Sequence, residues 1–369
     1  MGFGYGWVAP ILGLLHKNAS SHLPLTSEEA SWIASLNESG RFIGPLVVGW
    51  LLNSVGCKGV LGMCSISFVC SWILISFSKS VAQIYAARLI FGIAVGMSDV
   101  TSAIYLCENF KPHIRGIFGS ICTASFYGGT LIEYILVNFL SYYTVAYTNT
   151  VVCFVLLSNM YVSTESAHYL ISKKRYERAY ENFLWLRGKK EGSEKLERKF
   201  EKLKARIEAE NEEEQTVKAF LKTPMYRKGI VMVAIFCVIV GSTGSSVLDS
   251  FVSEIFNGTS LGDSFSANEF TILFGVFQFC SAVFSSTIIE KLPRHTILIT
   301  SFLFVAVIHA TTAALFCFRN EISPPHFPWW IFTTLTLFAM VYSSGLLPVF
   351  YIFRGEILPR RVRPFGNIV

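Results

Sequence analysis

Apolar residues run along this chain in blocks, most of them about twenty long, with short polar or charged stretches between. A helix rises about 1.5 Å per residue, so a block of about 20 crosses a hydrocarbon layer of about 30 Å. Blocks fall at 2–15, 32–53, 59–78, 82–106, 116–139 and 143–163, then, after a long charged interval, at 229–256, 268–290, 296–318 and 328–353. The first is too short to span and reads as a helix lacking its N-terminal half. Only helices and closed barrels satisfy their backbone inside lipid, and blocks of this length are helical. The pattern predicts an all-α membrane protein of about ten spans: an N-terminal transmembrane bundle over 1–164, a cytoplasmic helical linker over 165–228 and a C-terminal transmembrane bundle over 229–369.

The punctuation sets the orientation. Lys58, Lys111, Arg115, the whole 165–228 segment, Lys291, Arg294, Arg354, Arg360, Arg361 and Arg363 fall on one side, and only Lys17, Lys79 and Arg319 on the other. Basic loops stay inside, so the N-terminus is expected in the cytoplasm. Two sequons, Asn18-Ala-Ser20 and Asn257-Gly-Thr259, then face outward as glycosylation candidates, whereas Asn37-Glu-Ser39 lies inside a span and reads as chance. Within the linker the mixed charge of Tyr176–Arg187 and Glu194–Glu214 predicts short solvated helices, with Glu194 and Arg198 an attractive i,i+4 pair.

Composition agrees. The chain of 369 residues is 52% hydrophobic and 15% charged, against about a quarter charged in soluble domains, and its mean hydropathy is +0.48. The net charge of +6 would invite a nucleic-acid partner, but 17 of the 31 Lys and Arg sit in 165–228 together with 12 of the 25 acidic residues. The basic excess is topological, and no nucleic-acid partner is expected. Nine cysteines lie within or beside apolar runs, without CxxC or Cys/His spacing, so neither a metal site nor a disulfide framework is expected. No P-loop, Ser/His/Asp constellation or metal motif appears. The chain does not read as an enzyme, and no cofactor is implied.

The halves echo one another. Glu108 and Arg115 follow the fourth span, Glu356 and Arg363 the tenth, each pair seven residues apart. Asn53–Lys58 after the second span matches Glu290–His295 after the eighth. Repetition between membrane halves points to a transporter with its site between them. Glu108, Arg115, Glu165, Glu290, Arg294, Glu356 and Arg363 are the candidate inner-gate charges, since carboxylate–guanidinium contacts at inner helix ends can break as the halves rock. The plainer alternative is a set of topology residues with scattered counterions.

Ser31-Trp32-Ile33, Gly49–Lys58, Arg88–Gly92, Tyr105–Gly116 and Gly355–Pro359, in this order and spacing, resemble the sugar porters of the major facilitator superfamily, closest to the insect facilitated trehalose branch. The resemblance implies two pseudo-symmetric helical bundles, alternating access, a monomer in the cell membrane and a small sugar as substrate. It also implies twelve helices, of which the last two are missing here. By alignment the sugar site comprises Thr123, Ser246, Gln278, Gly345 and Tyr351. The chain departs from the family where Val240–Ser246 replaces a motif rich in glutamine and asparagine, and where Tyr351 stands for a stacking tryptophan.

Three carboxylates lie at membrane depth: Asp99, Glu133 and Asp249. Asp99 and Asp249 are possible proton sites, although a polar cavity or a pairing across helices is the preferred reading of both. Proton-coupled relatives carry an Asp in the first helix where Gly6 stands here, which favours facilitated diffusion. Arg88, opening the fourth helix, is expected to snorkel to the interface. A sugar sensor that no longer transports, a proton-coupled carrier and a carrier of a non-sugar solute stay open as alternatives.

Overall fold

The computed structural model describes residues 1–17, 25–110, 112–188, 194–212, 224–258, 266–318 and 327–350. The elements before the linker are helices α1 (Gly2–Gly6), α2 (Val8–Lys17), α3 (Ser27–Ser76), α4 (Val81–Asn109), α5 (Pro112–Phe139) and α6 (Tyr142–Val162). Helices α7 (Ala167–Ser172), α8 (Tyr176–Trp185) and α9 (Glu194–Glu212) follow at one end of the molecule, here called the linker end. The remainder comprises α10 (Pro224–Gly241), α11 (Ser245–Gly258), α12 (Ala267–Lys291), α13 (Arg294–Cys317), α14 (Phe327–Val341) and a π turn at Tyr342–Leu346. No strand occurs among the described residues. Among the described residues, eight helical segments are long and apolar enough to cross a membrane. Their outer faces expose large side chains such as Phe42, Trp50 and Val151, which suit lipid.

The blocks at 32–53 and 59–78 are two helical limbs joined at the non-helical Gly56, together called α3. It starts earlier than the apolar pattern indicates because Thr26 and Glu29 form a capping box, with Glu29 N donating to Thr26 Oγ1 at 3.2 Å and Thr26 N donating to Glu29 Oε2 at 2.9 Å. The expected loop is a single turn at Gly56, whose φ of +76° only glycine adopts readily. The block at 229–256 is broken instead of continuous: α10 stops at Gly241 and α11 starts at Ser245, with Gly244 at φ +74° in the gap.

α3 and α4 cross very closely. Gly40 and Gly44 on α3 face Gly92 and Gly96 on α4, and a methyl on any of the four would collide with backbone of the other helix. Small residues at i and i+4 let helices approach to backbone contact, where dispersion holds them together in lipid. The crossing belongs to a core of the first half that includes Ile33, Val48, Trp72 and Phe91. A second core gathers Phe256, Phe274, Phe338 and Leu346 of the later helices and takes in Ala9, Tyr127 and Tyr134 of the first half. α5 packs on α12, and α2 on α11. A third, small core around Ile171, Phe183 and Phe200 holds α7–α9 together. In α9 the expected pair Arg198–Glu194 forms on the surface.

Candidate functional site

A cavity of about 160 Å³ lies between the halves. The first half contributes α1, α3, α4 and α5 to its wall, and the second half α11, the π turn and Leu347. Away from the linker end the halves close on each other, with α2 against α11 and Asn268 Nδ2 donating to Asn138 Oδ1 at 3.2 Å.

On the first wall the glycine crossing sets Arg41 of α3 beside Asp99 of α4. Arg41 Nε donates to Asp99 Oδ2 at 3.1 Å, and its NH2 lies 3.0 Å from the same oxygen. Arg41 NH1 donates to the Tyr5 hydroxyl at 3.2 Å, and Tyr5 in turn donates to Glu38 Oε1 at 3.0 Å. Tyr5, Arg41 and Asp99 all line the cavity. Sequence reasoning singled out Asp99 but missed its partner. The signal was present: Glu38 and Arg41 are charged residues three apart inside an apolar block. Thr123 of α5 also lines the cavity, its hydroxyl donating to Gly119 O at 3.1 Å.

The opposite wall presents Ser245, Ser246 and Asp249 of α11 and Tyr342 of the π turn. Gln278 of α12 sits behind Asp249, donating from Nε2 to Oδ1 at 3.2 Å, and is 2% exposed. Gly345 does not line the cavity. It packs on α13, where a methyl would collide with Ser301 Oγ. Tyr351 lies outside the described residues. Thr123, Ser246, Asp99 and Asp249 therefore share one cavity, Gln278 adjoins it, and Gly345 stands apart.

The second wall owes its shape to hydrogen bonding. At the break before α11, Thr243 O lies 3.1 Å from His309 Nε2. At the π turn, Ser281 Oγ donates to Met340 O at 2.7 Å and Ser285 Oγ to Ser344 O at 2.8 Å, while Ser343 Oγ donates to Gln278 O at 3.3 Å. Carbonyls turned out of the regular ladder thus find side-chain donors, which backbone in a bilayer requires.

Two other buried charges lie elsewhere. Glu133 is completely buried, accepting from Asn149 Nδ2 at 2.7 Å within the first half. Arg88 does not reach an interface. It is 1% exposed, donates from NH1 to Gly4 O at 2.9 Å and lies between the rings of Trp7 and Phe91. The short first block explains the difference: α1 folds over Arg88 and supplies a carbonyl and an aromatic face, so the guanidinium need not extend to water.

At the linker end, Glu108 and Glu165 meet the turn at Gly56. Glu165 Oε1 accepts from the amides of Lys58 at 3.2 Å and Ser166 at 2.9 Å, and a methyl on Gly56 would press on its other oxygen. Glu108 accepts from the Ser166 hydroxyl and lies 3.8 Å from His168 Nδ1. Burial pushes the Glu165 carboxyl above its ordinary pKa, partly offset by those amides and reinforced by Glu108. The two carboxylates thus bond to an amide of the first half and to the amide and hydroxyl of Ser166 at the start of the linker. Arg294 opens α13. The side chains of Arg115 and Glu290, and all of Glu356 and Arg363, lie outside the described residues, as does Asn18. Asn257 is in the last turn of α11, but Thr259 of its sequon is not described. Among the described residues no group of His, Cys, Asp and Glu is placed to hold a metal.

Comparison with known proteins adds the following. The family model described as "Sugar (and other) transporter" matches residues 1–369. The facilitated trehalose transporter Tret1 of Bombyx mori is 25% identical over 367 residues, covering 98% of this chain and 70% of its own. The protein of the same name from Polypedilum vanderplanki is 24% identical over 364 residues, covering 98% and 71%. Among solved structures, the proton:xylose symporter XylE bound to 6-bromo-6-deoxy-D-glucose superposes with a TM-score of 0.79 at 18% identity, covering 100% of this chain and 82% of that one. The partially occluded inward-open form of XylE from E. coli gives 0.75 at 16%, covering 100% and 88%. At these identities the structures speak for the fold, which is that of the major facilitator transporters.

Proposed function

The chain belongs to the sugar transporter family, and we propose that it carries a small sugar of the trehalose or hexose type passively across a membrane by alternating access. The observation that carries this reading is the cavity itself. It lies between the two halves, is lined from both, and is closed at the end away from the linker. Rocking the halves about it would exchange that closed end for an open one with no covalent chemistry.

Passive flux follows from where the carboxylates find partners. Proton coupling needs an acid whose proton affinity differs between the two access states. Arg41 and Asp99 belong to the same half, and so do Gln278 and Asp249. Rigid-body rocking leaves both pairs intact. Thr123 and Ser246 contribute hydroxyl contacts to the sugar from the two walls, Gln278 acts through Asp249, and Tyr351 of the tenth span completes the site. Glu108, Arg115, Glu165, Glu290, Arg294, Glu356 and Arg363 act at the inner gate. The protein works as a monomer in the plasma membrane, with its N-terminus and residues 165–228 cytoplasmic, bundles at 1–164 and 229–369, and glycans at Asn18 and Asn257. The one-sided basic loops support that orientation.

The short side chains of Ser245 and Ser246 favour a second reading, a sensor that binds sugar without moving it. Purified protein in proteoliposomes decides between the two. Labelled trehalose or glucose should equilibrate across the membrane and show counterflow. Binding without flux would select the sensor, and accumulation driven by an inward proton gradient would overturn the passive mechanism.

A further inference from the structure

The family reading leaves open which groups grip the solute, since the seventh-span segment that would supply long amides carries serines in this chain. We propose that Arg41 and Asp99 form one specificity-determining unit that grips adjacent hydroxyls of a neutral, polyhydroxylated solute from the first half. This rests on the transporter reading above.

Placement comes first. Both side chains line the cavity, the arginine 33% exposed and the aspartate 11%. The guanidinium bridges Asp99 of α4 and Tyr5 of α1, both of which line the same cavity. Arg41 and Asp99 are also held in advance. Nε and NH2 of Arg41 clasp one oxygen of Asp99, while NH1 is fixed on Tyr5, which is itself fixed on Glu38. The crossing glycines leave no room for the two helices to shift. Little side-chain freedom is left to lose when a ligand docks.

Chemistry then selects the ligand. A guanidinium donates in a flat fork and a carboxylate accepts, so together they match two neighbouring hydroxyls, each of which can do both. Such charge-assisted bonds are roughly twice as strong as neutral ones. Glu38 Oε2 lies 3.8 Å from the same guanidinium, so Arg41 is paired on two sides and a neutral solute meets no isolated cation in the desolvated site. The other wall cannot substitute: Ser245 and Ser246 are short, and Asp249 is an acceptor already bonded to Gln278. Asp99 and Glu38 already flank the one guanidinium, which disfavours the added anion of a phosphorylated sugar.

The test uses the full chain in proteoliposomes, with trehalose and a series of trehalose analogues each lacking one hydroxyl. In the unaltered protein, loss of either member of one adjacent hydroxyl pair should weaken competition by about 10-fold or more, and trehalose 6-phosphate should compete at least about 10-fold worse than trehalose. In Arg41→Lys and in Asp99→Asn the penalties for that hydroxyl pair should shrink to within about twofold, while those for other hydroxyls persist. If the pair only braces α3 against α4, both variants will lower the melting temperature and weaken all analogues equally. Hydroxyl penalties that survive unchanged would overturn this inference and leave the transporter reading standing. Failure of the unaltered protein to bind any sugar would overturn both. Should the charge variants not fold, Tyr5→Phe keeps the ion pair and removes only the hydroxyl that accepts from NH1, which stays 3.8 Å from Glu38. It should soften the same hydroxyl penalties, and unaltered penalties there would likewise overturn the proposal.

Discussion

On one side of the cavity the first limb of α3 and α4 run past each other, glycine against backbone, and carry an ion pair at the crossing. On the other side α11 starts after a gap, the helix that begins at Phe327 loosens into a π turn, and the lining includes the short hydroxyls of Ser245 and Ser246. The first wall owes its geometry to close packing, which tolerates no added volume. The second owes its geometry to side-chain hydrogen bonds that stand in for missing backbone ones, and such bonds can be exchanged as the chain bends. A carrier needs both: a stiff surface that recognises and a compliant one that moves.

Gly96→Leu should break this contrast most severely. The added side chain runs into the α3 backbone at Arg41, and overpacking of this kind costs about 3 kcal/mol or more where neither backbone can move. Loss of folded protein, read as the monodisperse fraction in detergent, is the expected outcome. Gly244→Ala is its counterpart on the compliant wall. No atom lies within 4 Å of the added methyl, so the cost is only the left-handed backbone, about 1–2 kcal/mol. A modest fall in melting temperature should follow, with expression retained. Equal damage from the two substitutions would erase the distinction between the walls.

Gln278→Ala should act next most strongly. It removes the amide donor behind Asp249, and a hydrogen bond to a charged group is worth about 1.5–3 kcal/mol. Uptake should weaken by about 10-fold with surface expression intact; unchanged uptake kinetics would show that the second wall contributes no contact there. The smallest effect concerns Glu165. Because burial raises its pKa, the folded protein retains a proton that the unfolded chain releases near pH ~4.3. Stability should therefore be full below that value, fall as pH rises through the raised folded pKa, and level off above it. Melting curves of Glu165→Gln should lack that slope.

The spans were legible because length and apolarity alone mark them, and α4, α6 and α13 begin and end within a few residues of their blocks. The gap at 242–244 was not, since the glycines and small polar residues that permit it do not interrupt hydropathy. Nor was the Arg41–Asp99 pair. Its members lie 58 residues apart, and what joins them is the register of two glycine rows, which no charge pattern reveals. Arg88 was misplaced for a related reason. A residue at a helix end is assumed to find water, whereas here the N-terminal segment covers it with the Gly4 carbonyl and the Trp7 ring, opposite Phe91 of its own helix.

The bend at Gly56 leaves α3 with almost no loop between its two limbs. During synthesis neither limb can settle into the bilayer while the other waits, because a turn this tight offers no slack to store an unpaired span at the surface. The two limbs must enter as a single hairpin, apex at Gly56–Lys58, and residues inserted at that apex would separate a pair that the membrane receives as one object.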